Sequence, residues 1–266
     1  MTVTDLARFE ARQRVRGAAV AAAALGGFAL VYVFVYPTFA DSLGADIDRL
    51  MEAYPEALSK AFGVESLASM EGFLASELYT FAWMLLVGLY FGYAGGSLVA
   101  ADVEHGRIDM LLSLPISRAR IVVEKFAALL VPLTALSVVV PAVVWAGTAA
   151  VGHPVDAADL LALHLLSIPY LLICGAVGLV ASVVFDRASH AERASLGALA
   201  GLFFAESLLT GTDYAAAGAV APSRYLDPNA VLLDGEYAVG DAALLLAAAG
   251  ILLALAVGLF RRKDIE

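Results

Sequence analysis

The stretch ADVEHGRIDMLLSLPISRARIVVEKF, residues 101–126, is charged at both ends, apolar in the middle, and set between two long apolar blocks. At helical spacing Ile108, Leu111 and Leu112 fall on one face of a short helix, with Arg107, Asp109 and Ser113 towards the other. Gly106 lets the chain turn into that helix and Pro115 stops it. Ser117 then caps a second helix. Its Arg118, Arg120 and Lys125 stay at an interface before the next apolar block begins. The product is a stiff amphipathic knob joined at both ends to apolar segments. Such a knob suits docking into a groove on a partner; periodicity equally fits a loop folded onto lipid headgroups.

The flanking sequence decides the environment of that knob. Hydrophobic residues make up 61% of the chain and charged ones 16%. Five segments, 17–36, 78–101, 126–147, 160–185 and 242–260, contain no Asp, Glu, Lys or Arg, and a sixth, 194–212, contains only Glu206. A hydrocarbon core of roughly 30 Å takes about 20 helical residues to cross. Lipid offers no partner to open backbone groups, and these blocks lack a barrel's alternation, so helices are the expected form. The expectation is an all-α membrane protein: a single transmembrane domain over 1–266 with six transmembrane helices.

Charge orients it. Thirteen of the 16 basic residues fall in the N-terminal tail, 102–125, 186–193 and the C-terminus. Only Arg49, Lys60 and Arg224 fall in 37–77, 148–159 and 213–241. The basic side is the cytoplasmic one, which puts both termini and the 101–126 knob inside. The outer segments hold 15 carboxylates against those three cations, which argues against nucleic acid as a partner. A multi-pass protein of the cell membrane, in contact with lipid, is the implied location.

Smaller features fill in the picture. In the N-terminal tail Leu6, Phe9 and Gln13 share one stripe and Arg8, Arg12 and Arg16 another. This reads as an amphipathic helix on the inner membrane surface, or equally as a basic stop that fixes topology. The first apolar block ends in bulky VYVFVYP, unlike a leader's small-residue cleavage site, and is kept as a span. Ile47, Leu50, Met51 and Tyr54 predict a short outer helix ending near Pro55, whereas Pro222, Pro228 and Gly235 break 213–241 into turns. Gly88, Gly92 and Gly96, and again Gly197 and Gly201, stand at the spacing that lets membrane helices approach closely, within one subunit or across a dimer seam. Pro132, Pro141 and Pro169 predict kinks in the third and fourth spans.

Chemistry-bearing motifs are scarce. No phosphate-cradling G-x-x-x-x-G-K-[ST] occurs, and no H-E-x-x-H. His105, His153, His164 and His190 are scattered, and Cys174 is the sole cysteine. Neither a catalytic nor a metal site is expected, and the chain is read as binding no cofactor itself. Ion-coupled carriers place ionisable groups at membrane depth; here Glu206 is the one candidate, as a polar residue of a pathway or of the outer interface.

The knob also carries a resemblance. EHGRIDMLLSLPISRARIVVEK (104–125) resembles the first cytoplasmic loop of the type-2 ATP-binding-cassette (ABC) transporter permeases, where the pattern is approximately E-x-G-[TS]-[LI]-[DE]-x-L-L-[ST]-x-P-[IV]-[ST]-R followed by a Lys before the next span. Glu104, Gly106, Ile108, Asp109, Leu111, Leu112, Ser113, Pro115, Ile116, Ser117, Arg118 and Lys125 match it; Arg107 departs from it. The order of basic tail, spans, outer SRYLDPNAVLLDGEY and closing FRRKDI (260–265) is similar too. The resemblance implies an exporter permease without enzymatic activity. Two such subunits, identical or paralogous, would form the pathway, and separate nucleotide-binding subunits would bind ATP and Mg and drive it. It also implies that Glu104, Gly106, Arg107, Ile108, Asp109, Leu111, Leu112, Pro115, Ser117 and Arg118 meet the ATPase partner through a coupling helix between spans two and three. An ATP-independent secondary carrier or channel, or a membrane scaffold, is the alternative.

Overall fold

The N-terminal tail, the first apolar block and the start of the first outer loop form one helix, α1 (Asp5–Ala53). The computed structural model describes residues 5–53, 69–113 and 116–263, with side chains over 8–40 in the first of these. The remaining helices are α2 (Met70–Gly96), α3 (Ala100–Glu104), α4 (Arg107–Leu112), α5 (Arg118–Ala127), α6 (Leu130–Ala150), α7 (Ala157–Val184), α8 (Ala188–Leu209), α9 (Pro228–Leu232) and α10 (Val239–Arg262). Two 3₁₀ turns, Ala215–Val220 and Pro222–Tyr225, lie between α8 and α9. No strand occurs among the described residues.

Local sequence sets several of these boundaries. Ser69 caps α2 by accepting the Gly72 N–H at 3.1 Å, and Asp156 caps α7 by accepting from Ala158 and Asp159. Asp227 does the same for α9, with Pro228 in the first turn where its missing N–H costs nothing. Within α2, Leu74–Val87 is wound as a π-helix. Pro37, Pro141 and Pro169 all lie inside continuous helices, and Pro132 sits just past the break between α5 and α6.

Helix α7 is the central post: α2, α6, α8 and α10 pack around it, and α1 packs chiefly on α6. Glycines make the closest approach. A β-carbon placed on Gly95 would lie 2.2 Å from the Gly175 carbonyl oxygen, and one on Gly178 would lie 2.1 Å from that of Gly92. Around this contact the Ser182 hydroxyl accepts the N–H groups of Val99 and Ala100, and Ser195 donates to the Gly92 carbonyl. Tyr170 donates to the Met84 carbonyl. Contacts inside the chain thus account for the glycine row of the second span. Gly197 and Gly201 instead face open space.

Two expectations change. The N-terminal amphipathic segment is not a separate surface helix: it runs unbroken into the first span. The short outer helix expected over 47–54 is, as far as Ala53, a continuation of the same α1, while Tyr54 and Pro55 lie outside the described residues. Among the described residues, five helical spans are long and apolar enough to cross a membrane on their own: Arg8–Ala40, Met70–Gly96, Arg118–Ala150, Ala157–Val184 and Val239–Arg262. The helix for segment 194–212 is present as α8, but it starts at Ala188, takes in Glu192, Arg193 and Glu206, and stops at Leu209.

Candidate functional site

Gly106 opens the knob at φ +65°, a left-handed conformation that suits glycine, and α4 follows at once. Ile108 is 1% exposed and belongs to the main hydrophobic core, against which Leu111 and Leu112 are half-buried. The apolar face of α4 is therefore turned into its own protein. Its outer face carries Arg107, Asp109, Ser113 and Met110, the last 65% exposed. Pro115 lies outside the described residues.

The residues around α4 bind it to the other elements at this end. Arg107 Nε donates to Asp102 Oδ1 at 2.8 Å. Lys125 Nζ, on a side chain 3% exposed, lies 2.5 Å from Asp102 Oδ2 and 2.5 Å from Glu10 Oε1 of α1. Glu104 Oε2 accepts the Ala188 N–H at 2.9 Å, at the start of α8. Ser117 accepts the Arg120 N–H and so caps α5, as its position before the helix predicts. Arg118 reaches across to the last turn of α10, donating to the Phe260 and Lys263 carbonyls at 3.3 and 2.7 Å. Lys263 in turn donates to the Val183 carbonyl and pairs with Asp186 at 2.7 Å. The start of α1, the end of α10, the described residues of 101–126 and the α7–α8 turn therefore meet at one end of the bundle, and it is the end rich in Lys and Arg.

Residues 5–265 match the model of the ABC-2 family transporter proteins. The chain belongs to this family. A comparison with curated proteins finds no match. ABC-2 permeases are membrane components of ABC transporters and are generally not themselves catalytic. This permease is accordingly a multi-pass protein of the cell membrane, and its family implies an ABC ATPase partner and, usually, a dimeric membrane assembly.

Sequence reasoning groups ten residues of the permease as one partner surface. The structure divides them by surroundings. Gly106, Arg107, Asp109 and Ser117 are exposed; Ile108 is buried; Glu104 and Arg118 are engaged with α8 and α10. Met110, 65% exposed, escaped that reading because it stands at a position where the pattern accepts any residue. Glu206 lies at the other end of α8, its Oε1 accepting from Thr210 at 2.8 Å. Ser223, Arg224 and Asn229 line a cavity together with Glu206, and only the turn-forming SRYLDPN sequence marks that region beforehand.

Proposed function

We propose that this permease is the transmembrane subunit of an ABC exporter, with α8 crossing as the sixth span and both termini in the cytosol. ATP and Mg are held by ATPase subunits on separate polypeptides, and a second permease copy or a paralogue completes the pathway. The observation that carries the reading is α4: an amphipathic helix whose apolar face packs against its own protein while Arg107, Asp109, Met110 and Ser113 are exposed. An ATPase closing on that face pushes on a plate rather than on a loose loop. Asp102 and Lys125 pass the push to α1 and α5, Glu104 passes it to α8, and Arg118 passes it to α10. Because those joints fix the ends of the spans to one another, nucleotide-driven closure shifts the whole bundle between two packings, which is a population shift driven by differential partner contact.

The test is co-purification of the tagged permease with the ABC ATPases of its own cell. The double variant Asp109→Arg with Met110→Asp is expected to weaken capture at least tenfold, the scale of losing an interface hot spot, while membrane insertion is unchanged. Undiminished capture overturns this docking assignment. Orientation is checked by Ser113→Cys: native Cys174 is buried, so a membrane-impermeant maleimide should label the new thiol only in inside-out vesicles.

A further inference from the structure

Between α2, the end of α8 and the turns before α9 lies a cavity of about 370 Å³. Its polar wall is incomplete in a specific way. Ser223 is 9% exposed, and its hydroxyl has no hydrogen-bond partner among the described residues. Asn229 Oδ1 is buried and unpartnered in the same sense. Buried polar atoms are nearly always satisfied, so two orphans in one cavity point to something that binds there. Glu206 stands beside them, taking one hydrogen bond from Thr210 and forming no ion pair among the described residues. Arg224, close by, donates to the Ala215 carbonyl rather than pairing with Glu206, and Asp227, whose Oδ1 caps α9, adds a second carboxylate. The lining therefore carries a formal excess of one negative charge and a surplus of acceptors. Phe203, Met84, Leu226 and Pro228 form the apolar remainder.

We infer that this cavity is a binding subsite for an organic ammonium with an apolar body. The cationic head sits among Glu206, Ser223 and Asn229, and the body lies along Phe203 and Met84. A charged head held by a carboxylate and neutral acceptors forms the stronger, charge-assisted class of hydrogen bond. An anion meets two carboxylates here. A bare metal ion meets no cluster of three His, Cys, Asp or Glu side chains among the described residues, and leaves the apolar wall unused. As a station on an export route the subsite rests on the permease reading; as a binding site it does not.

The experiment uses the full permease in lipid nanodiscs and a matched pair of fluorescent probes, dansylcadaverine and its N-acetylated neutral form. The unaltered protein is expected to bind the amine at least tenfold more tightly than the acetylated probe, the usual scale for a hydrogen-bonded charge. Glu206→Gln should abolish that preference and Ser223→Ala should cut amine affinity about threefold, with elution profile and thermal unfolding unchanged. Asp213→Asn, a carboxylate outside the cavity lining, should leave the preference intact. Equal affinity for the two probes, a preference that survives Glu206→Gln, or equal loss with Asp213→Asn overturns the inference. Capture of the ATPase is scored separately. Amine preference that depends on Glu206 in a permease that captures no ATPase keeps the site and sinks the permease reading, whereas ATPase capture without amine preference does the reverse.

Discussion

Replacing Gly178 by Ala tests the backbone contact between α2 and α7. The added methyl would stand 2.1 Å from the Gly92 carbonyl oxygen, 2.7 Å from the Gly96 nitrogen and 3.0 Å from the Gly92 carbonyl carbon. Ordinary contact begins near 3.4 Å, and every atom in the way is backbone, so no side chain can swing aside. Helices α2 and α7 must therefore part by about 1 Å, enough to forfeit a quarter to a half of each dispersion contact along the seam. Overpacking of this kind costs about 1–3 kcal/mol. The three hydrogen bonds beside the contact, from Val99 and Ala100 to Ser182 and from Ser195 to Gly92, stretch with it, and membrane interhelical hydrogen bonds average about 0.6 kcal/mol each. The expected destabilisation is about 3–5 kcal/mol. Gly197→Ala is the internal control, because nothing lies within 4 Å of its would-be β-carbon; it should change stability by less than about 0.5 kcal/mol. Both variants are compared by reversible steric-trap unfolding in bicelles, with thermal unfolding in detergent as a second readout. Equal stability of the two variants would refute the claim that backbone contact sets the α2–α7 distance.

Lys125→Met strips the cation from two carboxylates whose side chains are 9% and 14% exposed. Breaking a buried pair costs about 3–5 kcal/mol; Arg107 still serves Asp102, so the lower end is expected, and Glu10→Gln in the Lys125→Met background should recover part of it in a double-mutant cycle. At the opposite end Tyr237 donates to Asp159 Oδ1, and that hydrogen bond to a carboxylate, ahead of desolvation and the nearby negative charge, raises its phenol pKa above the ordinary value. A raised acid stabilises the fold fully below its unfolded pKa and loses that contribution as pH rises through the folded one, so the contact should fail only in strong alkali. Asp159→Asn should bring the titration of Tyr237 back towards the ordinary phenol range, read by tyrosinate absorbance against Tyr237→Phe; an unmoved midpoint would show that the carboxylate is not the cause.

The spans were legible in the sequence because lipid leaves the chain one solution: a run of apolar residues long enough to satisfy its own backbone. Helix lengths were less legible. Pro37 reads as a stop after VYVFVY, yet α1 continues to Ala53. A proline deletes one helical hydrogen bond, whereas ending the helix there would leave several carbonyls without intrahelical partners. The π-wound stretch from Leu74 to Val87 leaves no mark in periodicity either, since Tyr79 and Trp83 look like any helical aromatic pair until both are found buried against His164, with ring centroids 5.4 and 4.7 Å from it. The outer cavity was the least legible part, because it joins Glu206 to Ser223 and Asn229 across a chain reversal that only the turns encode.

The knob itself shows what a helical stripe does and does not specify. Periodicity identified the apolar face of α4 correctly as Ile108, Leu111 and Leu112, but a stripe names a face and not its neighbour. The neighbour proved to be the protein's own core. The same holds for Glu104, Arg118 and Lys125: their charges suggest a surface meeting another molecule, whereas their bonds run to Ala188, to the end of α10 and to Glu10. Much of the recognisable pattern in 104–125 thus encodes the joints of a plate. What remains outward on α4 is Arg107, Asp109 and Met110, and two of these three stand where the chain departs from the family pattern or where that pattern is silent. The patterned residues thus hold α4 to the bundle, Arg107 adds its own bond to Asp102, and Asp109 and Met110 are left facing outward.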